Sequence, residues 1–222
     1  NAHVQIYHKL KSLPGGDTIK IGIVKNIFQF DPYRRWNLLD WAFSKFLNDV
    51  YTNSPLKFLK DGQSSFYLPG MVDNDMSNPK AVGSLDFIGL NYYSRMHVKG
   101  HLNSREPFTF ANREQDVMTD MGYPVYAEGL YRALKTISIL GVPIYVTENG
   151  LADDTDEIRP TFIKRYLYAL NRALRDRIDV RGYFYWSLID NFEWAEGYKM
   201  KFGLYDVDFE TQKRVLLSLI HI

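Results

Sequence analysis

The chain contains no cysteine, which excludes disulfides and thiolate-ligated metal sites. No apolar run approaches the ~20 residues that a membrane-spanning helix needs. An excess of one charge is also missing. The 27 basic and 26 acidic side chains leave a formal charge of +1, which gives no electrostatic footprint for nucleic acid or an anionic bilayer. No Asn-x-Ser/Thr sequon occurs. That points away from a secretory history and leaves the cytoplasm as the favoured compartment. There is no initiator Met, and Asn1-Ala2-His3 reads as the interior of a helix, so a native start upstream is expected. What the chain has in quantity is aromatic: 16 Tyr, 14 Phe and 4 Trp. Such rings stack on sugars and also fill large cores, so their number alone does not decide between those uses.

Hydrophobic periodicity alternates between helix and strand. Residues 2–13 predict a helix, and residues 20–24 (Lys-Ile-Gly-Ile-Val) a short β-branched strand. Trp36, Leu39, Phe43, Phe46 and Val50 recur at three and four, as on one face of a helix. Residues 86–90 predict the second strand. Leu130, Leu134 and Ile137 form the next helical stripe, stopped by Gly141 and Pro143. Residues 144–147 predict the third strand. Pro160 opens a helix with a stripe of Ile163, Tyr166, Leu167, Leu170 and Leu174. Residues 182–188 predict the fourth strand. This alternation implies an α/β fold with a parallel sheet. Spacing goes no further and does not by itself say barrel. No repeat, low-complexity tract or interdomain linker is visible.

Three blocks carry chemistry. Tyr145-Val146-Thr147-Glu148-Asn149-Gly150 is a short apolar run ending in one carboxylate before Asn-Gly. A strand that stops there leaves Glu148 at the carboxyl edge of a sheet, where α/β folds place their chemistry. The plainer reading is a strand-end Glu before a turn. The second block is Tyr185-Trp186-Ser187-Leu188-Ile189-Asp190-Asn191-Phe192-Glu193-Trp194 and the third is Asp86-Phe87-Ile88-Gly89-Leu90-Asn91-Tyr92-Tyr93. Each alone is as well explained by core aromatics and turns.

Together and in this order, from about Ala2 to Arg214, the blocks resemble glycoside hydrolase family 1, the retaining β-glucosidases and β-galactosidases. The resemblance covers only the second half of that family's barrel. It implies a partial (β/α)8 barrel, strands five to eight with their helices, over residues 1–216. It implies that Glu148 is the nucleophile and that the Tyr93 hydroxyl orients it. Asn91, Trp186, Glu193, Trp194 and Phe202 then match the residues that hold or wall the sugar. Glu193 would repel a sugar phosphate, so the implied substrate is a small neutral β-glycoside or oligosaccharide. No metal or organic cofactor is implied.

The family's acid/base Glu lies in an Asn-Glu-Pro motif that does not occur here, and Glu106-Pro107 falls in a loop. The chain alone is therefore expected to be inactive and, with two open sheet edges, to self-associate. A non-catalytic, klotho-like relative that binds a glycan or a protein is the alternative from another class; an S-glycosidase is a second. His97 and His101 have helical metal-ligand spacing, but Gly100 interrupts it. Asp73-Asn74-Asp75 resembles the start of a calcium loop without its Gly and closing Glu, and reads as a solvated loop. Residues 217–222 translate a common transposon-type sequencing-adapter end and are read as a non-native tail.

Overall fold

The computed structural model of the chain describes residues 1–68, 72–102 and 105–217. In chain order the elements are α1 (Ala2–Lys11), β1 (Gly22–Pro32), α2 (Leu38–Asn48), α3 (Ser54–Asp61), β2 (Gln63–Leu68), β3 (Val72–Ser77), β4 (Phe87–Gly100), β5 (Phe108–Ala111), α4 (Ala127–Ile137), β6 (Ile144–Asn149), α5 (Arg159–Arg175), β7 (Val180–Tyr185), β8 (Tyr205–Val207) and β9 (Arg214–Leu216). The main sheet runs β1-β4-β6-β7, all parallel, with β5 antiparallel on the far end of β4. The βαβ alternation is thus realised. Two hairpins, β2–β3 and β8–β9, lie outside the main sheet.

Strands β1 and β4 run well beyond their expected ends at 24 and 90. Their second halves carry polar residues that broke the apolar pattern, yet still pair: Gln29 with Arg95, and Asp31 with His97. Asp73-Asn74-Asp75 lies within strand β3, in an antiparallel hairpin rather than a loop.

The core lies on one face of the sheet. Ile27, Ile88, Leu90, Tyr92, Ile144 and Val146 meet Leu130, Leu134 and Ile137 of α4 and Phe162, Tyr166 and Ala169 of α5. Helix α5 is rotated from its expected stripe. Phe162, Tyr166, Ala169 and Ala173 are buried, whereas Leu167 and Leu174 are exposed. Helix α2 is rotated too: Asp40 and Ser44 are its buried residues and Trp36 is 80% exposed. Asp40 explains this, because it accepts from the Arg34 backbone and guanidinium and from the Gly100 N–H. Burial alone would raise its carboxyl, but those donors hold it down at about 2.

The opposite face of the sheet is uncovered. Val24 and Phe184 are 50% and 57% exposed there. Period-two alternation puts Phe87, Asn91, Tyr93 and Tyr145 on the same side. That open face carries the candidate site.

Candidate active site

Glu148 reaches the open face through a local irregularity. Leu90 pairs with Val146 and Asn91 with Glu148, so Thr147 is an extra residue between them. Two successive side chains of β6 therefore meet β4 on one side, as at a bulge. The Thr147 hydroxyl donates to Asn91 Oδ1 at 2.6 Å, and the Tyr93 hydroxyl donates to Glu148 Oε2 at 2.6 Å. Burial, followed by the hydrogen bond to Glu148, pushes the Tyr93 phenol far above its usual range, and the charges of Glu148 and Glu193 add to this. The phenol therefore stays a donor. The buried Phe202 ring stands edge-on to Tyr93, with centroids 6.3 Å apart.

Trp186 and Glu193 enter from the loop after β7. The Trp186 side chain lies beside the Glu193 carboxylate. Burial raises the Glu193 carboxyl above its usual range. The negative charge of Glu148 adds to that, and the Trp186 side chain lowers it in part. Glu148 and Glu193 thus share one electrostatic environment. Asn91, Tyr93, Glu148, Trp186, Glu193 and Phe202 form this constellation. Trp194 stands apart: it is 82% exposed, has φ +44°, and among the described residues no ring stacks on it.

The side chains that hold this arrangement lie underneath. Asn149 is fully buried, donates to the Tyr92 carbonyl at 2.6 Å and accepts from the Tyr183 hydroxyl at 2.8 Å. It ties β4, β6 and β7 together directly below Glu148. The Tyr166 hydroxyl of α5 donates to the Tyr93 carbonyl at 3.3 Å and accepts from Tyr126 N–H at 3.0 Å. Gly150 is required by close approach: a Cβ there would lie 1.7 Å from the Trp186 carbonyl oxygen. The Trp186–Ser187 peptide bond is cis. Buried Asp190 accepts from Gly203 and Val207 N–H and lies 3.3 Å from Lys201 Nζ, which fixes the loop carrying Glu193. Fully buried Arg159 donates to the Asp153 and Lys201 carbonyls, joining the loops after β6 and β7.

Sequence reasoning missed two of these contributors, Asn149 and Asp190, and one residue in register with the site, Asn26. Asn149 was read as a turn residue, although it is the last residue of β6. Asp190 lay inside a quoted block without a role. Asn26 is in register with Asn91, which is in register with Glu148, and its Oδ1 is buried without a partner. It lay beyond the expected end of its strand.

His97 and His101 take their spacing along an extended chain, about 13 Å by strand rise. His97 is buried in β4, and His101 Nε2 meets Thr109 Oγ1 at 2.9 Å. Among the described residues no group of three or more His, Asp or Glu side chains is placed to hold a metal ion. No helix among them is long and apolar enough to cross a membrane. A recess of about 750 Å³ lies away from the site, between Phe46, Lys57 and Phe66. Of the expected tail, residues 218–222 lie outside the described residues, while Leu217 N–H bonds the Leu204 carbonyl.

The chain is similar in sequence and in fold to known proteins. A 1,4-β-D-glucan glucohydrolase of Thermotoga neapolitana is 36% identical over 89% of this chain and 48% of its own length. A β-galactosidase of Sulfolobus acidocaldarius is 42% identical over 58% of this chain and 28% of its own. The solved β-glycosidase from Pyrococcus horikoshii superposes with a TM-score of 0.84 at 34% identity, over 100% of this chain and 50% of that one. The chain spans about half the length of the first and last of these. Its open sheet and flanking helices are the fifth to eighth units of a (β/α)8 barrel. The profile of glycosyl hydrolase family 1 matches residues 31–218, and this chain belongs to that family.

Proposed function

We propose that this chain is the nucleophile-bearing half of a retaining β-glycosidase acting on β-glucosides or related neutral β-glycosides. The observation that carries the reading is the 2.6 Å hydrogen bond from Tyr93 to Glu148 Oε2. It fixes one carboxylate oxygen and leaves the other to attack. Glu148 adds to the anomeric carbon as the bond to the leaving oxygen breaks, giving a covalent glycosyl-enzyme. The leaving oxygen takes its proton from a second carboxyl, and that group later deprotonates the water that releases the sugar. Glu193 and Asn91 grip the sugar hydroxyls, Trp186 lies under the ring and Phe202 walls the pocket.

The second carboxyl belongs to a segment that this chain does not contain, so the chain alone does not turn over glycosides. With both sheet edges open, it also self-associates. The Tyr93–Glu148 pair argues against a non-catalytic binding role, which has no need of an oriented nucleophile.

The test joins this chain to the upstream half of the Thermotoga neapolitana relative and adds a 2-deoxy-2-fluoro-β-glucoside. A covalent sugar mapped to Glu148, with β-configured first product by NMR, is the expected result. Label on another residue, or α-configured first product, overturns the assignment.

A further inference from the structure

On the helix-covered side of the sheet, a recess of about 420 Å³ lies between β1, α2 and α4. The short π-helical turn Asp49–Asn53, which joins α2 to α3, completes its wall. Turns of that kind interrupt the usual helical ladder and recur at functional sites. Three residues that line the recess each keep a buried side-chain oxygen without a hydrogen-bond partner: Gln29 Oε1, Ser44 Oγ and Thr52 Oγ1. All three residues are more than nine-tenths buried. Gln29 is held by the other end of its amide, since Nε2 donates to the Gly129 carbonyl at 2.7 Å. Ser44 and Thr52 do not use the usual outlet of a helical hydroxyl, the carbonyl four residues earlier. Buried polar atoms are normally paired, so three orphans around one recess point to a ligand that pairs them.

The walls specify the chemistry of that ligand. Gln29 Oε1 can only accept, whereas the Ser44 and Thr52 hydroxyls both donate and accept. The charges at the recess are already matched, Arg132 to Asp31 at 3.2 Å and Lys45 to Asp49. A charged ligand would therefore be desolvated there without a counter-ion. Trp41 lines the recess and is 54% exposed. Its indole N–H is spent on the Arg35 carbonyl at 2.7 Å, so what it offers is ring surface for C–H groups. Every wall belongs to this chain. Asn48 of α2 bonds both the N–H and the carbonyl of Phe30, so α2 itself covers β1 along this stretch.

We infer that this recess is a second, non-catalytic binding site, and that it takes a neutral polyol of about monosaccharide size. One ligand hydroxyl donates to Gln29 Oε1, others exchange hydrogen bonds with Ser44 Oγ and Thr52 Oγ1, and a carbon face lies against Trp41. The volume falls in the range of small-molecule pockets. Water alone pairs the three oxygens but makes no use of the Trp41 ring. A carboxylate or phosphate in the same place sets its charge against Gln29 Oε1 and Asp31. The assignment is independent of the catalytic reading, since Asn91, Tyr93, Glu148 and Glu193 do not line the recess.

The experiment is site-resolved hydrogen exchange of the unmodified chain at fixed protein concentration, with D-glucose or gluconate from about 1 to about 200 mM. The amides of residue 29 and residues 44–53 are expected to exchange more slowly as glucose rises, and to be unaffected by gluconate. Glucose entering the candidate active site slows residues 147–150 and 186–193 instead, so the two sites are read separately. The double variant Ser44→Ala, Thr52→Val removes two partnerless hydroxyls. It is expected to weaken the protection of residues 44–53 by glucose at least about tenfold. Its urea midpoint without ligand is expected not to fall, since no hydrogen bond is lost. An absence of protection at residues 44–53, equal protection by gluconate, or a variant that binds glucose as tightly as the parent overturns the inference. So does a variant whose ligand-free midpoint falls or which does not fold, because its hydroxyls then already had partners.

Discussion

Replacing Tyr93 by Phe removes one oxygen and leaves the ring against Phe202. The bond lost is 2.6 Å long and its acceptor is a carboxylate. Hydrogen bonds to charged groups contribute about 1.5–3 kcal/mol. That is a loss of roughly 10- to 150-fold if it falls on the transition state. In the proposed mechanism it falls there, because the phenol fixes Oε2 and so aims the other oxygen at the anomeric carbon, an alignment used only in the attack. The assay is steady-state kinetics of a whole-length enzyme carrying this half, with an aryl β-glucoside. The expected result is a fall in kcat and in kcat/KM of that size with little change in KM. The phenol is held far above its usual range by burial and by Glu148, so it does not ionise at working pH. The alkaline limb of the pH profile is therefore the same in both proteins. A fall of less than about threefold, or a loss confined to KM, refutes the orienting role. Loss of the alkaline limb in the variant refutes the protonation argument.

Gly150→Ala puts a methyl carbon 1.7 Å from the Trp186 carbonyl oxygen, so the loop after β7 must move by more than about 1 Å. Overpacking of this kind costs about 1–3 kcal/mol, and the same shift costs a whole-length enzyme about 100-fold in rate; an unchanged urea midpoint and rate refute it. Asn149→Ala leaves the Tyr92 carbonyl and the Tyr183 hydroxyl unpaired beneath Glu148, a loss of about 2–5 kcal/mol in a denaturant titration. His97 is buried, and burial, aided by the charges of Arg95 and Arg113 against those of Asp116 and Asp31, lowers it from 6.5 to about 4. The unfolded chain then takes up the proton first. Its contribution is full above pH 6.5 and falls by about 3 kcal/mol as pH drops to 4. His97→Leu is expected to flatten stability across that window at fixed protein concentration, and an unchanged slope refutes it. Asp40 acts only below 3.8, so it does not blur the result.

The order of elements was legible because apolar residues repeat with clean periods where an element is buried on one side. Ile144 and Val146 and the Leu130–Leu134–Ile137 stripe face the core in the sequence and in the structure. Legibility failed where polar side chains do structural work. Asp40 turns α2 because it collects donors from Arg34 and Gly100, and a hydrophobicity pattern assigns such a residue to solvent. Strands β1 and β4 were cut short for the same reason. Their upper halves hold Gln29, Arg95 and His97, and Arg95 pairs with Asp31 and Asp116 across 3.7 and 3.1 Å. Helix α5 was legible in part: Tyr166 of the expected stripe is in the core and Ile163 and Leu170 pack against it, but Leu167 and Leu174 are exposed while Phe162, Ala169 and Ala173 are buried.

The candidate site was legible where its chemistry is borne by side chains that must meet a ligand, and illegible where it is borne by those that hold them. Glu148 stood out as a lone carboxylate at the end of an apolar run, Tyr93 was assigned through the family resemblance alone, and the fold brings the two to hydrogen-bond distance. Asn149 sits one residue from Glu148 in sequence, yet its amide faces away from the cleft and bridges Tyr92 to Tyr183. No local signal separates that Asn from an ordinary turn residue, because its partners are 57 and 34 positions away. Gly150 is similar: the atom that excludes a side chain there belongs to Trp186. In the proposed mechanism, precision at Glu148 therefore depends on contacts between β4, β6 and β7, all of which lie within this chain. The half can hold Glu148 and its tyrosine in register before any proton donor arrives from elsewhere. In the proposed mechanism the second carboxyl then adds the proton, and the alignment of Glu148 by Tyr93 is already built by this chain's own strands.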